Sequence, residues 1–225
     1  SNNLTEDFNT LCDYLAKTKG KIITIGIGKS GHIAQKVSAT LSSTGSPSSF
    51  INAAEALHGD AGGIAKNDSV LIFSHSGQSE EIIELFPFLK SLGCKYFSIT
   101  GSQESFIAKN AQINIDTGIS EEACPLDLAP TTSTTAALAI GDAIAIALLE
   151  SKGFKRDDFA KSHPGGKLGK RLIINVQDLM AKGKGLPKVS PNTSLSKTLI
   201  EISSKGLGVS LVTVSYTHLR AHETR

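Results

Sequence analysis

Apolar positions along this chain follow two alternating rhythms. Leu4, Phe8, Leu11, Tyr14 and Leu15 recur at helical spacing, which predicts an opening amphipathic helix that Gly20 ends. Continuous apolar runs over 21–25, 48–51, 69–73, 95–100 and 113–116 predict short buried strands. Between them, helix-period segments cover 30–43, 53–57 and the stretch from the loop after residue 73 to Leu92. A long apolar helix over 133–152 closes this region. Strands alternating with helices predict an α/β fold, a parallel sheet covered on both faces with right-handed crossovers. Ligands on such sheets bind beyond the carboxyl ends of the strands.

The rhythm changes after Phe159. A turn-rich stretch, Ser162-His163-Pro164-Gly165-Gly166-Lys167, precedes a second unit with an apolar run at 187–189, a helix near 194–204 and a strand at 209–214. About 40 residues are too few to bury an independent core. Residues 215–225 are polar and patternless. The expected organisation is a main domain over 1–175, an incomplete module over 176–214 and a non-native or disordered tail over 215–225.

Two loops carry the chemistry. Gly26-Ile27-Gly28-Lys29-Ser30-Gly31 follows the first strand, and Ser74-His75-Ser76-Gly77-Gln78-Ser79 follows the third. A strand, a small-residue turn and a helix start together aim backbone N–H groups and a helix dipole at an anion. The first loop has Gly-x-Gly-x-x-Gly spacing, but the dinucleotide fingerprint also needs an acid about 20 residues on, at the end of the next strand. That strand ends at Ile51-Asn52. The Walker pattern needs a glycine at position 23, where Ile23 stands. Packing alone explains neither Lys29 nor Ser30. Ser74, Ser76 and Ser79 exceed the single hydroxyl that a helix cap uses. A phosphate cradle accounts for all of them. Glu81 falls on the helix stripe of Leu85, Phe88, Leu89 and Leu92, facing the core, whereas Glu80 shares the wet face with Glu84 and Ser91. An inward carboxylate beside an anion cradle is a candidate for proton transfer. Glu122, His58 and His163 sit in turns and loops where a polar side chain can enter a cleft.

Composition narrows the field. The 225 residues carry a formal charge of +2, with no basic block, so nucleic acid is not an expected partner. The richest apolar stretch, 136–149, contains Gly141 and Asp142 and reads as a core helix rather than a membrane span. Cys12, Cys94 and Cys124 have no metal-ligand spacing and read as free thiols, and the N-terminus shows no signal-peptide pattern. A cytoplasmic protein without cofactor or metal is expected.

Taken together, Gly28-Lys29-Ser30-Gly31-His32, Glu55-Ala56-Leu57-His58-Gly59-Asp60, Ser74-His75-Ser76-Gly77-Gln78-Ser79, Ile99-Thr100-Gly101, Glu122-Ala123-Cys124-Pro125-Leu126, Ala129-Pro130-Thr131-Thr132-Ser133-Thr134-Thr135 and Ser162-His163-Pro164-Gly165-Gly166 resemble the sugar isomerase (SIS) domain family, and within it the D-arabinose 5-phosphate isomerases. The segment from Val176 resembles the start of a cystathionine-β-synthase (CBS) type module. The resemblance implies a doubly wound five-stranded sheet of order 2-1-3-4-5. It implies interconversion of D-arabinose 5-phosphate and D-ribulose 5-phosphate, feeding synthesis of 3-deoxy-D-manno-octulosonate. By the same resemblance Lys29, Glu81, Glu122 and His163 are catalytic. Gly45, Ser46 and His58 touch the sugar, and Ser30, Ser74, Ser76 and Ser79 hold the phosphate. A homotetramer is implied, with neighbouring subunits completing each site. Asn52 stands where family members often carry a histidine linked to inhibitory zinc, and His75 stands where an asparagine is usual.

Such an isomerisation needs a base near C2, an acid near the carbonyl oxygen and a stabiliser for the enediolate. Glu81 or Glu122 is expected as the base, His163 in ring opening or proton shuttling, and Lys29 as the electrostatic partner. The rivals are a non-catalytic phosphosugar sensor and an isomerase of another phosphosugar.

Overall fold

The computed structural model describes residues 2–163 and 175–214. The chain divides into two compact units, Ser1–Ile173 and Ile174–Arg225. The expected tail over 215–225 lies outside the described residues, as does the Pro164-Gly165-Gly166 part of the turn-rich stretch.

The first unit opens with helix α1 (Asn2–Ala16). Strands β1 (Ile22–Gly26), β2 (Ser48–Asn52), β3 (Ser69–Ser74), β4 (Lys95–Thr100) and β5 (Asn114–Asp116) form one sheet. Every pairing is parallel and the order is β2-β1-β3-β4-β5. Helices α2 (Gly28–Ser43), α3 (Ala53–Leu57), α4 (Glu80–Ile83), α5 (Phe86–Leu92), α6 (Phe106–Asn110), α7 (Thr132–Ser151) and α8 (Arg156–Ser162) fill the crossovers and the end of the unit.

The sheet is covered on both faces. On one, Leu11 and Leu15 of α1, Val37 and Leu41 of α2 and Ile144 and Leu148 of α7 pack on Leu71, Phe73 and Phe97. On the other, Ile82 of α4, Phe86 and Leu89 of α5 and Ile107 of α6 pack on Ile25, Val70 and Ile72. α2 and α4 therefore leave adjacent strands, β1 and β3, toward opposite faces. That divergence opens a crevice at the carboxyl ends of β1 and β3, the switch point where α/β sheets take ligands. The two glycine–serine loops are its two lips.

Several expectations change in detail. Gly20 does not cap α1, which ends at Ala16. It sits against the backbone of Asn67 and the carboxylate of Asp68, where a Cβ has no room, and its N–H donates to the Asn67 carbonyl at 3.0 Å. The helix expected from the second loop to Leu92 breaks into α4 and α5. Pro87 has no N–H to continue the ladder and instead sits at the start of α5. α6 and α8 have no counterpart among the expected elements. The expected core helix α7 buries one face against α1 and α2, where Gly141 leaves room for Val37. Its other face, with Thr135, Ala139, Ala143 and Ile146, is exposed. By length and composition α7 could cross a membrane, but it packs here as the helix of a layered domain.

In the second unit, β6 (Lys188–Val189) and β7 (Leu211–Val212) pair in parallel on either side of α10 (Leu195–Lys205) in sequence, after the short α9 (Val176–Leu179). Both strands are shorter than the apolar runs that predicted them. α10 buries none of its residues, and Leu195 and Ile200 are exposed.

Candidate functional site

The first lip is built by close packing. Gly26 and Gly31 face each other where β1 turns into α2, and a Cβ on either would crowd the other's backbone. Gly28 takes a positive φ of 55° in open space, a conformation that suits glycine. Ile27 precedes α2 and provides no side-chain cap, so the first N–H groups of α2 have no capping side chain. Lys29 and Ser30 project from this first turn, and Lys29 is exposed and makes no ion pair among the described residues.

The second lip is a hydroxyl network. Ser74 is buried, shares a hydrogen bond with the Ser79 hydroxyl at 2.9 Å and accepts from the Gly77 N–H at 3.2 Å. Ser76 accepts from the Gln78 N–H at 3.2 Å. Ser79 occupies the N-cap position of α4 without capping it through its side chain. Gly77 has a φ of 61°, and its missing Cβ leaves space for Ser105. Between the lips, Lys29, Ser30, Ser74, His75, Ser76, Ser79, Ile27 and Pro130 line an open cleft of about 340 Å³. One cation, four hydroxyls and the ends of two helices without side-chain caps thus surround one space.

An adjoining cleft of about 220 Å³ shares His75 and Pro130 with the first and is lined also by Glu121, Glu122 and Asp127. The long loop after β5 folds back to place Glu122 on the start of α7. Its carboxylate accepts from the Thr131 N–H at 2.7 Å, the Thr131 hydroxyl at 3.0 Å, the Ser133 N–H at 3.2 Å and the Ser133 hydroxyl. Hydrogen bonding from Ser133, then from the Thr131 backbone, holds its pKa down to about 2.

Glu81 lies in the first turn of α4, half-buried, with no hydrogen-bond partner for its carboxylate among the described residues; Glu80 is exposed. This matches the inward and outward faces expected from the helix stripe. His58 ends α3, which packs on α4, and is exposed. Asn52 caps α3, its Oδ1 accepting from the Ala54 N–H at 3.0 Å. His163 ends α8, stacks on Phe159 with ring centroids 4.0 Å apart, and lies 2.9 Å from the Phe159 carbonyl through Nδ1. A carbonyl only accepts, so Nδ1 carries the proton and Nε2 is the ring's acceptor nitrogen.

Gly45 and Ser46 stand apart. They precede β2, at the amino edge of the sheet, opposite the cleft. Ser46 is fully buried and its hydroxyl accepts from Lys152 Nζ at 2.8 Å, while the Phe154 ring fills the space that a Cβ on Gly45 would need. Partial burial lowers the Lys152 pKa. The structure therefore gathers Lys29, Ser30, Ser74, Ser76 and Ser79 in one cleft with Glu122 in the next. Gly45 and Ser46 lie at the other edge, and Glu81, His58 and His163 line none of these clefts. His75 and Pro130, shared by both clefts, are not among the site residues expected from sequence; neither residue type marks chemistry by spacing alone. Among the described residues, no three His, Cys, Asp or Glu side chains are placed to hold a metal ion.

The family model described as the SIS domain matches residues 14–147. The chain is 52% identical over 207 residues to the arabinose 5-phosphate isomerase KdsD of Pseudomonas aeruginosa, covering 92% of this chain and 64% of that protein. It is 45% identical over 209 residues to the protein of the same name from Escherichia coli K12, covering 93% of this chain and 64% of the relative. The chain thus spans just under two thirds of the length of these relatives. A solved E. coli CFT073 protein in complex with arabinose 5-phosphate superposes with a TM-score of 0.69 at 43% identity, covering 71% of this chain and 85% of that one.

Proposed function

Since this chain belongs to the SIS domain family, we propose that it is an aldose–ketose isomerase converting D-arabinose 5-phosphate to D-ribulose 5-phosphate through an enediol. The observation that carries the reading is the cleft at the β1/β3 switch point, where Lys29 and four serines meet the starts of α2 and α4. A phosphate dianion suits that set of donors and positive ends. The relatives named for arabinose 5-phosphate isomerase and the neighbour solved with arabinose 5-phosphate support the same substrate class.

In this reading Glu81 is the base that moves the proton between C1 and C2. Glu81 is half-buried and its carboxylate has no hydrogen-bond partner among the described residues, whereas Glu122 is held by four donors and is a weak base at a pKa of about 2. Glu122 instead fixes the loop after β5 onto α7 and forms the wall of the second cleft. Lys29 neutralises the enediolate or the phosphate. His163 opens the sugar ring, with Nε2 as the proton acceptor left by its bond to Phe159.

Gly45 and Ser46 lie at the opposite edge of the sheet, and His58, Glu81 and His163 line neither cleft in one chain, so in this reading another copy completes the site. A homotetramer whose subunits complete each other's sites fits that separation. Residues 1–175 form the isomerase domain in this reading, residues 176–214 begin a CBS-type module, and the substrate and free thiols fit the cytoplasm.

Turnover on arabinose 5-phosphate, ribose 5-phosphate, sedoheptulose 7-phosphate and glucosamine 6-phosphate tests the reading. Activity confined to arabinose 5-phosphate is expected. Activity on a different sugar alone reassigns the substrate, and binding of any of them without turnover means a sensor.

A further inference from the structure

The histidine between the two clefts has no part in the site as described above. His75 lines both the cleft that holds Lys29 and the loop serines and the adjoining cleft of Glu121, Glu122 and Asp127. Among the described residues only Pro130 does the same, and a proline side chain neither donates nor accepts a hydrogen bond. His75 is therefore the polar side chain placed to orient a ligand that spans the two clefts.

Its position is built into the fold. The His75 carbonyl accepts from the Gly101 N–H at 2.8 Å, which ties the second lip to the end of β4. That end is held in turn by β5, where Asn114 Oδ1 lies 3.0 Å from the Thr100 hydroxyl. The His75 ring packs on Gly101, with Nδ1 and Cε1 in the space that a Cβ would need. Nε2 is the ring nitrogen farther from Gly101. The residue is exposed, and its ring makes no hydrogen bond or ion pair among the described residues. The two clefts differ in charge. Lys29, the hydroxyls and the helix starts suit one anionic group in the first, whereas three carboxylates repel a second anion from the other. A ligand that reaches both carries its negative charge at one end and neutral polar groups at the other. A hydroxyl both donates and accepts, so it pairs with Nε2 in either tautomer of the ring.

We infer that His75 is a substrate-binding residue, its Nε2 pairing with a hydroxyl of the sugar chain where that chain leaves the phosphate for the second cleft. The inference deepens the phosphosugar reading and rests on it, and it brings the end of β4 into the site as the support of the ring.

The test compares His75→Phe, which keeps a flat ring and removes both nitrogens, with His75→Gln, whose amide reaches about as far as Nε2. Binding of arabinose 5-phosphate and of inorganic phosphate to the wild-type chain and to each variant is measured by calorimetry, with ligand-free melting temperatures alongside. His75→Phe is expected to bind arabinose 5-phosphate about two- to tenfold more weakly, the range for one hydrogen bond. It is expected to bind inorganic phosphate like the wild type, because the cradle is untouched. His75→Gln is expected to bind both ligands within about twofold of wild type, and both variants are expected to keep the wild-type melting temperature, since the ring is exposed. Unchanged arabinose 5-phosphate affinity in His75→Phe overturns the inference. So does equal weakening for both ligands, which marks a contact to the phosphate or a distorted lip, and so does failure of His75→Gln to restore affinity. A wild type that binds arabinose 5-phosphate without turning it over refutes the isomerase reading alone, and the two titrations still decide His75. A wild type that binds inorganic phosphate but no arabinose 5-phosphate overturns this inference.

Discussion

Glu81 and Glu122 both meet the start of a helix, and the two helices treat them differently. Glu122 reaches back from the preceding loop and accepts four hydrogen bonds from Thr131 and Ser133 at the start of α7. Glu81 belongs to the first turn of α4 and has no such partners among the described residues. A carboxylate whose lone pairs are taken by N–H and O–H donors is a good cap and a poor base. One left half-buried and unengaged can still take a proton. Identical side chains in similar positions thus divide into a positioning group and a candidate catalytic group by their hydrogen bonds alone.

The comparison breaks first at Glu81. Glu81→Gln is expected to lower kcat by about 10²–10⁴ with an unchanged melting temperature. Near-normal turnover in this variant, with loss in Glu122→Gln, would reverse the two roles. Lys29→Met comes next, with an expected fall in kcat/KM of about 10²–10³ measured in the same assay. Glu122→Gln is expected to lower the melting temperature more than it lowers turnover. Its pH dependence sharpens the point. The folded state depresses the Glu122 pKa from 4.5 to about 2. Its contribution to stability is therefore present above the unfolded value and is lost as pH falls from about 4.5 toward about 2. Acid melts of Glu122→Gln should be flatter than wild type across that window. The smallest effect is expected at Glu80, exposed beside Glu81: Glu80→Gln should keep turnover within about twofold, as surface substitutions generally do.

The sheet and most helices are legible in the sequence because their signals are local. The 95–100 strand and the 53–57 helix appear with the expected bounds, and the burial of every residue of β1 and β3 follows from their continuous apolar runs. α6 and α8 escape such a reading because, unlike the strong helix formers of 53–57, their short segments mix in Phe, Ile, Asn, Asp and Ser. Gly20 misleads because a glycine that ends a helix and one that admits a neighbouring backbone look alike in sequence. Of the site, Lys29 and the loop serines can be read because each loop is a continuous segment between a strand and a helix. The inward turn of Glu81 follows from a helix stripe. Pro130 carries no such pattern.

By itself the sequence determined the alternation of strands and helices, the two glycine–serine loops and the inward face of α4, because periodicity and turn chemistry act over a few residues. Tertiary structure decided what those pieces face. Only folding the loop after β5 back onto α7 engages Glu122 and lowers its basicity. The parallel sheet alone sets the two loops side by side and sends Gly45 and Ser46 to the opposite edge. Hydrogen-bond partners and neighbours across a cleft are set by segments distant in the chain, and no local spacing encodes them.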